Sequence, residues 1–359
     1  MESKKNCSSA KKIALYVLLL YLLFTFLPFG IYRLSHWNAD GRSQNESAPK
    51  AAAADETPPG FLDGLALLPD APAEAPAAAA DDVFRIKDLA SDDILQVSAR
   101  DFLPAALACE MPLSAPDESL KAQAVAIYTY YTRQRTANAQ ADFDFTCDSG
   151  KWLIYVTPEK MQERWGEDCE TYRSKAQALT DSVYGQLITE NGEPILASYF
   201  AISNGSTEAS ANVWGSERSY LTEVASPGDV LGEGYLSKVT LTPEQLQNSL
   251  QAGFPDLSFD FSGAAETWFG EQELSRAGYT KSITAGGQVL EGTEFRTALS
   301  LPSTCFDVSF DGGYFVFTVR GHGHGVGMSQ AGAMYMAQQG SDYQEILAHY
   351  YPGTELTKA

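Results

Sequence analysis

Residues 320–330 read Arg-Gly-His-Gly-His-Gly-Val-Gly-Met-Ser-Gln, with glycine at every second position from Gly321 to Gly327. His322 and His324 are two of the chain's four histidines. Imidazole is the side chain that titrates closest to neutral pH, so this stretch is a first candidate for chemistry. Glycine at this density costs conformational entropy, and it is used where the backbone must pass close to a ligand or to another chain segment. An extended segment would turn both imidazoles to one face and leave the other bare. Two other readings stand beside a binding or catalytic one. The first is a glycine-rich structural turn. The second is a metal site, but the H-x-H spacing supplies two ligands where zinc needs three or four. His324, Ser329 and Gln330 are the groups here that could orient a polar substrate.

Cys109-Glu110-Met111-Pro112 is the second candidate. Glu110 is the only acid between Asp101 and Asp117, and Leu107, Ala108, Cys109, Met111 and Pro112 around it are apolar. An apolar setting disfavours the charged carboxylate, so such a group can stay protonated near neutral pH and act as a general acid. The alternative is a surface glutamate beside a turn. Lys121 and Gln123 follow as polar residues on an alanine-rich helix, where a solvated face is the simpler account. A third stretch, 198–215, carries Tyr199, Ser203, Asn204, Gly205 and Trp214. Hydroxyls, amides and an aromatic ring suit a sugar, which presents hydroxyl edges and an apolar face; an ordinary polar loop is the competing account. Ser329 lacks a nucleophile-elbow context and Cys147 lacks a local base, so neither is read as a nucleophile.

Several elements must position these residues. Strands are expected at 83–87, 94–98, 185–189, 195–201, 306–310 and 314–319. Ser114-Ala-Pro116-Asp-Glu signals a helix start, and Leu120, Ala124, Ile127, Tyr128 and Tyr131 recur at helical spacing. Thr242 opens a short capped helix. A helix begins near Met328 and stops at Gly340, and Ser341-Asp-Tyr-Gln344 resembles a capping box before a last helix that ends at Tyr351-Pro-Gly. The fold class is α+β, mixed helix and mainly antiparallel sheet, with 234–287 as a possible inserted subdomain.

The chain has 359 residues and a formal net charge of -21, which argues against a nucleic-acid partner, since that would need a basic face. Ile13–Tyr32 carries one apolar run of about twenty residues, the length that spans a bilayer. Lys4, Lys5, Lys11 and Lys12 precede it and predict a cytoplasmic N-terminus (1–12) and a single-pass anchor (13–32). A cleavable signal peptide is the competitor. Residues 33–81 are rich in Ala, Pro and acids and predict a disordered tether. The folded domain, 82–356, would then lie outside the cytoplasm at the cell membrane. Its four cysteines, Cys109, Cys147, Cys169 and Cys305, allow three pairings or none.

Taken together the motifs resemble the stage II sporulation protein D family, which includes amidase-enhancer proteins. The residues that carry the resemblance are Glu110-Met-Pro112, Glu118-Ser-Leu-Lys-Ala-Gln-Ala-Val-Ala126, Ser203-Asn-Gly-Ser-Thr-Glu208, Val213-Trp-Gly215, Gly292-Thr-Glu-Phe-Arg296, Gly321 to Ala333, and Glu345 to Gly353. The resemblance implies a lytic transglycosylase of peptidoglycan glycan strands, with Glu110 as the catalytic acid/base and no cofactor. It implies preference for strands stripped of stem peptides by a partner amidase, during sporulation and engulfment, alongside other engulfment proteins. A hydrolase needs a second carboxylate; a transglycosylase uses the substrate's own 6-hydroxyl in place of water. The chain departs from the family pattern at Tyr128, where an arginine is usual, at Asn204, where a glycine is usual, and at Lys151 and Trp152. The last two replace a His and a Cys that bind zinc in some members, and lysine offers no lone pair, so no metal is expected there. A murein-binding scaffold that activates an amidase is the second hypothesis, and a metal-dependent hydrolase the third.

Overall fold

The computed structural model describes residues 82–358. The expected N-terminus (1–12), anchor (13–32) and tether (33–81) lie outside the described residues. Among the described residues no helix is long and apolar enough to cross a membrane. The class is α+β, with small, mostly antiparallel sheets.

Strand β1 (Val83–Asp88) alternates, turning Phe84, Ile86 and Asp88 inward. It pairs antiparallel with β2 (Ile94–Ser98) and parallel with β3 (Phe145–Cys147). Helix α1 (Ala99–Glu110) follows at once; the Ser98 hydroxyl accepts from the Asp101 amide at 3.2 Å and caps it. No helix is expected here from sequence, because Pro104 sits inside it and the unbroken apolar run from Phe102 hides its period. Helix α2 (Asp117–Ala137) starts later than Ser114 suggests. Its N-cap is Pro116, which has no side chain to cap with, and Asp117 and Glu118 supply the first-turn charge instead. Helices α3 (Pro158–Trp165) and α4 (Cys169–Val183) complete this side. Phe84, Phe102, Tyr131 and Phe145 pack edge to face or tilted at the centre of the first core, with centroids 4.3–5.4 Å apart.

Strands β4 (Gln186–Glu190) and β5 (Glu193–Pro194) form a hairpin. The strand expected at 195–201 shrinks to β6 (Tyr199–Phe200), followed by α5 (Ser210–Trp214). A second core fills the next stretch. It is built by β7 (Leu236–Leu241), α6 (Pro243–Gly253), β8 (Phe269–Leu274), β9 (Thr280–Ala285), β10 (Gln288–Glu291), α7 (Gly292–Ala298), β11 (Phe306–Asp311) and β12 (Tyr314–Arg320). Leu246, Leu250, Trp268, Phe295, Phe315 and Phe317 are buried in it. The segment 234–287 therefore shares its core with residues as far along as Val319. The chain returns through β13 (Met328–Ser329), α8 (Gln330–Gln338), α9 (Tyr343–Tyr350) and β14 (Glu355–Lys358), which pairs with β4. The capping box of α9 is Asp342 with Glu345, one residue past the expected Ser341. Cys109, Cys147, Cys169 and Cys305 are all free and buried.

Candidate active site

Glu110 is the last residue of α1, where the chain leaves the helix at Met111. The Gln330 side-chain amide donates to the Glu110 backbone carbonyl at 3.3 Å and to the Gln123 side-chain oxygen at 3.5 Å. These bonds join the end of α1, the middle of α2 and the start of α8. Strand β6 runs parallel to β13, with Tyr199 opposite Met328 and Phe200 opposite Ser329. That register sets Tyr199 beside the first turn of α8, and its hydroxyl faces the Glu110 carboxyl. Burial is the largest influence on that carboxyl and pushes it up to about 7; Tyr199 and Gln330 pull the other way and offset only part of it. The residue as a whole keeps partial exposure, as a group that meets a substrate must. An acid of this kind is half protonated near neutral pH, the condition for giving and then retaking a proton.

The glycine segment is not a plain strand. Gly321, Gly323, Gly325 and Gly327 all have positive φ, between 79° and 110°. A Cβ on Gly327 would lie 2.0 Å from the Ser198 carbonyl oxygen, and one on Gly321 would lie 2.6 Å from that of Ile202. At these two positions the close approach is to the protein's own segment 198–203. His322 and Ile202 exchange backbone hydrogen bonds at 2.7 and 3.0 Å. Each positive φ interrupts the ladder, which is why 195–201 forms so short a strand.

His324 is buried between aromatic rings, 5.3 Å from Trp214 and 5.5 Å from Phe200. Its Nδ1 accepts from the Val326 amide at 3.1 Å, so the neutral ring carries its proton on Nε2. His324 and Trp214 thus meet, and Phe200 next to Tyr199 connects them along β6 to the Glu110 group.

Other expected substrate residues are engaged in local folding. Ser329 caps α8 through the Gly332 amide at 3.3 Å. The Ser203 hydroxyl accepts from the Gly205 amide at 3.0 Å, and the Ser203 amide donates to Asp229 at 2.8 Å. Asn204, standing where the family has glycine, donates to the Ala277 carbonyl at 2.8 Å and to the Cys305 sulfur at 3.3 Å. Lys121 pairs with Glu118 at 2.7 Å, while the other Glu118 oxygen accepts the Tyr343 amide at 3.0 Å and ties α2 to α9. Asp229, fully buried, was not legible in sequence: nothing in Ser-Pro-Gly-Asp distinguishes it from a turn acid. Burial raises its carboxyl above the ordinary range, against the hydrogen bonds it accepts from Ser203, Ser329 and Ser226.

At the other three departures, local partners fill the places. The Tyr128 hydroxyl donates to Asp82 at 2.7 Å, and Tyr184 and Arg135 reach the same carboxylate at 2.6 and 2.5 Å. Lys151 pairs with Asp148 at 2.8 Å. Trp152 packs on Trp165 at 5.5 Å with the Arg164 guanidinium 4.3 Å from its ring centre. A separate groove of about 670 Å³, lined by α1, α3 and α4, holds none of the expected site residues.

The stage II sporulation protein family model matches residues 89–189, the stretch that includes Glu110 and Gln123. Over 273 residues the chain is 31% identical to stage II sporulation protein D of Bacillus subtilis (strain 168), covering 75% of this chain and 77% of that protein. The chain belongs to the stage II sporulation protein D family. It is 31% identical over 270 residues to the protein of the same name from Bacillus amyloliquefaciens, covering 73% of this chain and 75% of that one. It is also 27% identical over 299 residues to the amidase enhancer of Bacillus subtilis, covering 69% of this chain but 39% of that protein.

Proposed function

We propose that this protein is a lytic transglycosylase that cleaves peptidoglycan glycan strands during sporulation, held at the outer face of the cell membrane by the apolar run at 13–32. The observation that carries the reading is the Glu110 carboxyl, pushed by burial up to about 7, on a residue whose backbone carbonyl Gln330 holds at a junction of three helices. Protonated Glu110 gives its proton to the glycosidic oxygen as the bond to the sugar C1 breaks. The 6-hydroxyl of that sugar attacks C1, and the Glu110 carboxylate takes the hydroxyl proton. No water is consumed, and the product ends in a 1,6-anhydro ring. One carboxyl suffices, so the lack of a second carboxylate in the Glu110, Gln123, Tyr199 and Gln330 group fits this chemistry better than hydrolysis. Partly exposed Trp214, backed by the buried ring of His324, offers an aromatic face on which a sugar ring can lie.

The test is to incubate the purified full chain with glycan strands stripped of stem peptides. Release of 1,6-anhydromuramic products that falls by about 10³-fold or more in Glu110→Gln is expected for loss of the only acid/base. Products undiminished in that variant would refute the role of Glu110. The similarity to an amidase enhancer favours one second reading, a murein-bound scaffold that stimulates a cell-wall amidase. Glycan binding with no cleavage by the wild type, together with faster amidase turnover, would favour that scaffold.

A further inference from the structure

Asp229 lies outside every stretch that carries the family resemblance. It is an acid with 0% exposure, on the 3₁₀ turn Pro227–Leu231. Taking a carboxyl group out of water is costly unless fixed dipoles replace that water, so a fully buried acid calls for a reason. Its own turn is tied down. The Asp229 amide donates to the Ser226 carbonyl at 3.1 Å, and the Asp229 carbonyl accepts the Gly232 amide at 2.9 Å.

The two carboxyl oxygens face two different segments. Oδ2 accepts the Ser203 amide at 2.8 Å and holds the loop that follows β6. Oδ1 lies against the first turn of α8. A Cβ on Gly332 would sit 2.8 Å from it, 2.2 Å from the Ser226 hydroxyl and 1.9 Å from the Tyr350 hydroxyl. Those two hydroxyls are 2.6 Å apart. The helix comes this close only because residue 332 has no side chain. The contact continues along α8, where a Cβ on Gly228 would lie 2.2 Å from the Tyr335 ring. Asp229 thus sets an acid at the positive end of a nine-residue helix.

That first turn also carries Gln330, whose side-chain amide bonds the Glu110 carbonyl at 3.3 Å and Gln123 at 3.5 Å. The Glu110 carbonyl is one of the last four of α1, which have no partner within their own helix. Gln330 supplies one, and so fixes the end of α1 from which the Glu110 side chain projects. The Ser329 hydroxyl already caps α8 through the Gly332 amide, so the helix can start without Asp229. What the acid adds is the place of that start relative to the loop at 203.

We propose that Asp229 is a positioning residue of the active site: it clamps the first turn of α8 to the Ser203 loop and so holds Gln330 on the Glu110 carbonyl. This deepens the transglycosylase reading and rests on it for its catalytic meaning, though not for its structural test.

The test reads Gln330 directly, by nitrogen NMR of glutamine side chains in the full chain, with Gln330→Ala identifying the signal. Asp229→Asn keeps the shape and removes the charge. Burial holds the carboxyl above its ordinary range, so the uncharged variant should fold. In it the Gln330 amide signal should move, and its exchange with solvent should quicken by about 10-fold or more. On stripped glycan strands kcat should fall by about 10-fold with KM unchanged. Gln330→Ala should lower kcat by itself, and adding it to Asp229→Asn should cost nothing further, as expected of residues that act through one another. Should Asp229→Asn fold poorly, Asp229→Ser shortens the side chain, ends both contacts and should give the same changes. A Gln330 signal unmoved in a folded variant, or kcat losses that multiply, would overturn the proposal. A moved signal in a chain that cleaves no glycan would leave the positioning role standing and refute the enzymatic reading.

Discussion

Glu110 has two measurable consequences. Its folded pKa of about 7 lies above the ordinary 4.5, so the folded state binds its proton more tightly than the unfolded state does. The stabilisation from that proton is full below about 4.5 and is lost as pH rises through about 7. Removing the ionisable group should therefore help at high pH only. Denaturant unfolding should find Glu110→Gln more stable than the wild type by about 1–3 kcal/mol at pH 8, with the difference vanishing near pH 4. Glycan cleavage should fall above pH 7 as the acid form disappears. Glu110 was legible in sequence because an isolated acid in an apolar run is conspicuous. Its surroundings were partly legible: Tyr199 faces its carboxyl and Gln330 bonds its backbone carbonyl, with Gln123 bonded in turn to Gln330, whereas Ser203, Asn204 and Ser329 are occupied in turns and caps. Hydroxyls and amides read alike in sequence whether they serve a substrate or a backbone amide, and only the fold decides.

Among the elements, the glycine segment has the clearest role. It lets β13 and the start of α8 close onto 198–203, and that contact sets Tyr199 and Gln330 side by side. Gly327→Ala would force a Cβ against the Ser198 carbonyl at a positive φ, and should cost about 3 kcal/mol or more in thermal or denaturant unfolding. A stability within about 0.5 kcal/mol of wild type would show that the approach is not required. The glycine spacing points to a close approach, to a ligand or to another chain segment, and at Gly321 and Gly327 the neighbour is the protein's own 198–203. The long helix, several strands and the capped helix at Thr242 are legible in sequence, because periodicity or capping chemistry there is local. Helix α1 is hidden because its proline and continuous apolar face erase the period; the cap of α2 falls on Pro116, two residues past Ser114, and that of α9 on Asp342, one past Ser341, where serine and aspartate are equally able caps.

For the whole molecule, three buried hydrophobic clusters carry the described fold, and Glu110 stands between the first and the third, with Cys109 in the first and Met111 in the third. Phe317 is fully buried in the second, against Phe269, Phe295 and Phe306. Phe317→Ala should cost about 3–5 kcal/mol of stability, while the Glu110 titration midpoint in the molecules that remain folded stays in place. A displaced midpoint would mean that the second core also sets the site. The central claim concerns the whole reaction: one carboxyl, and the substrate's own hydroxyl in place of water. Cleavage of stripped glycan strands in heavy-oxygen water, followed by mass spectrometry of the fragments, tests it most directly. The account predicts 1,6-anhydro ends, each one water lighter than a hydrolysis product and free of the heavy isotope. Reducing ends that carry heavy oxygen would contradict it.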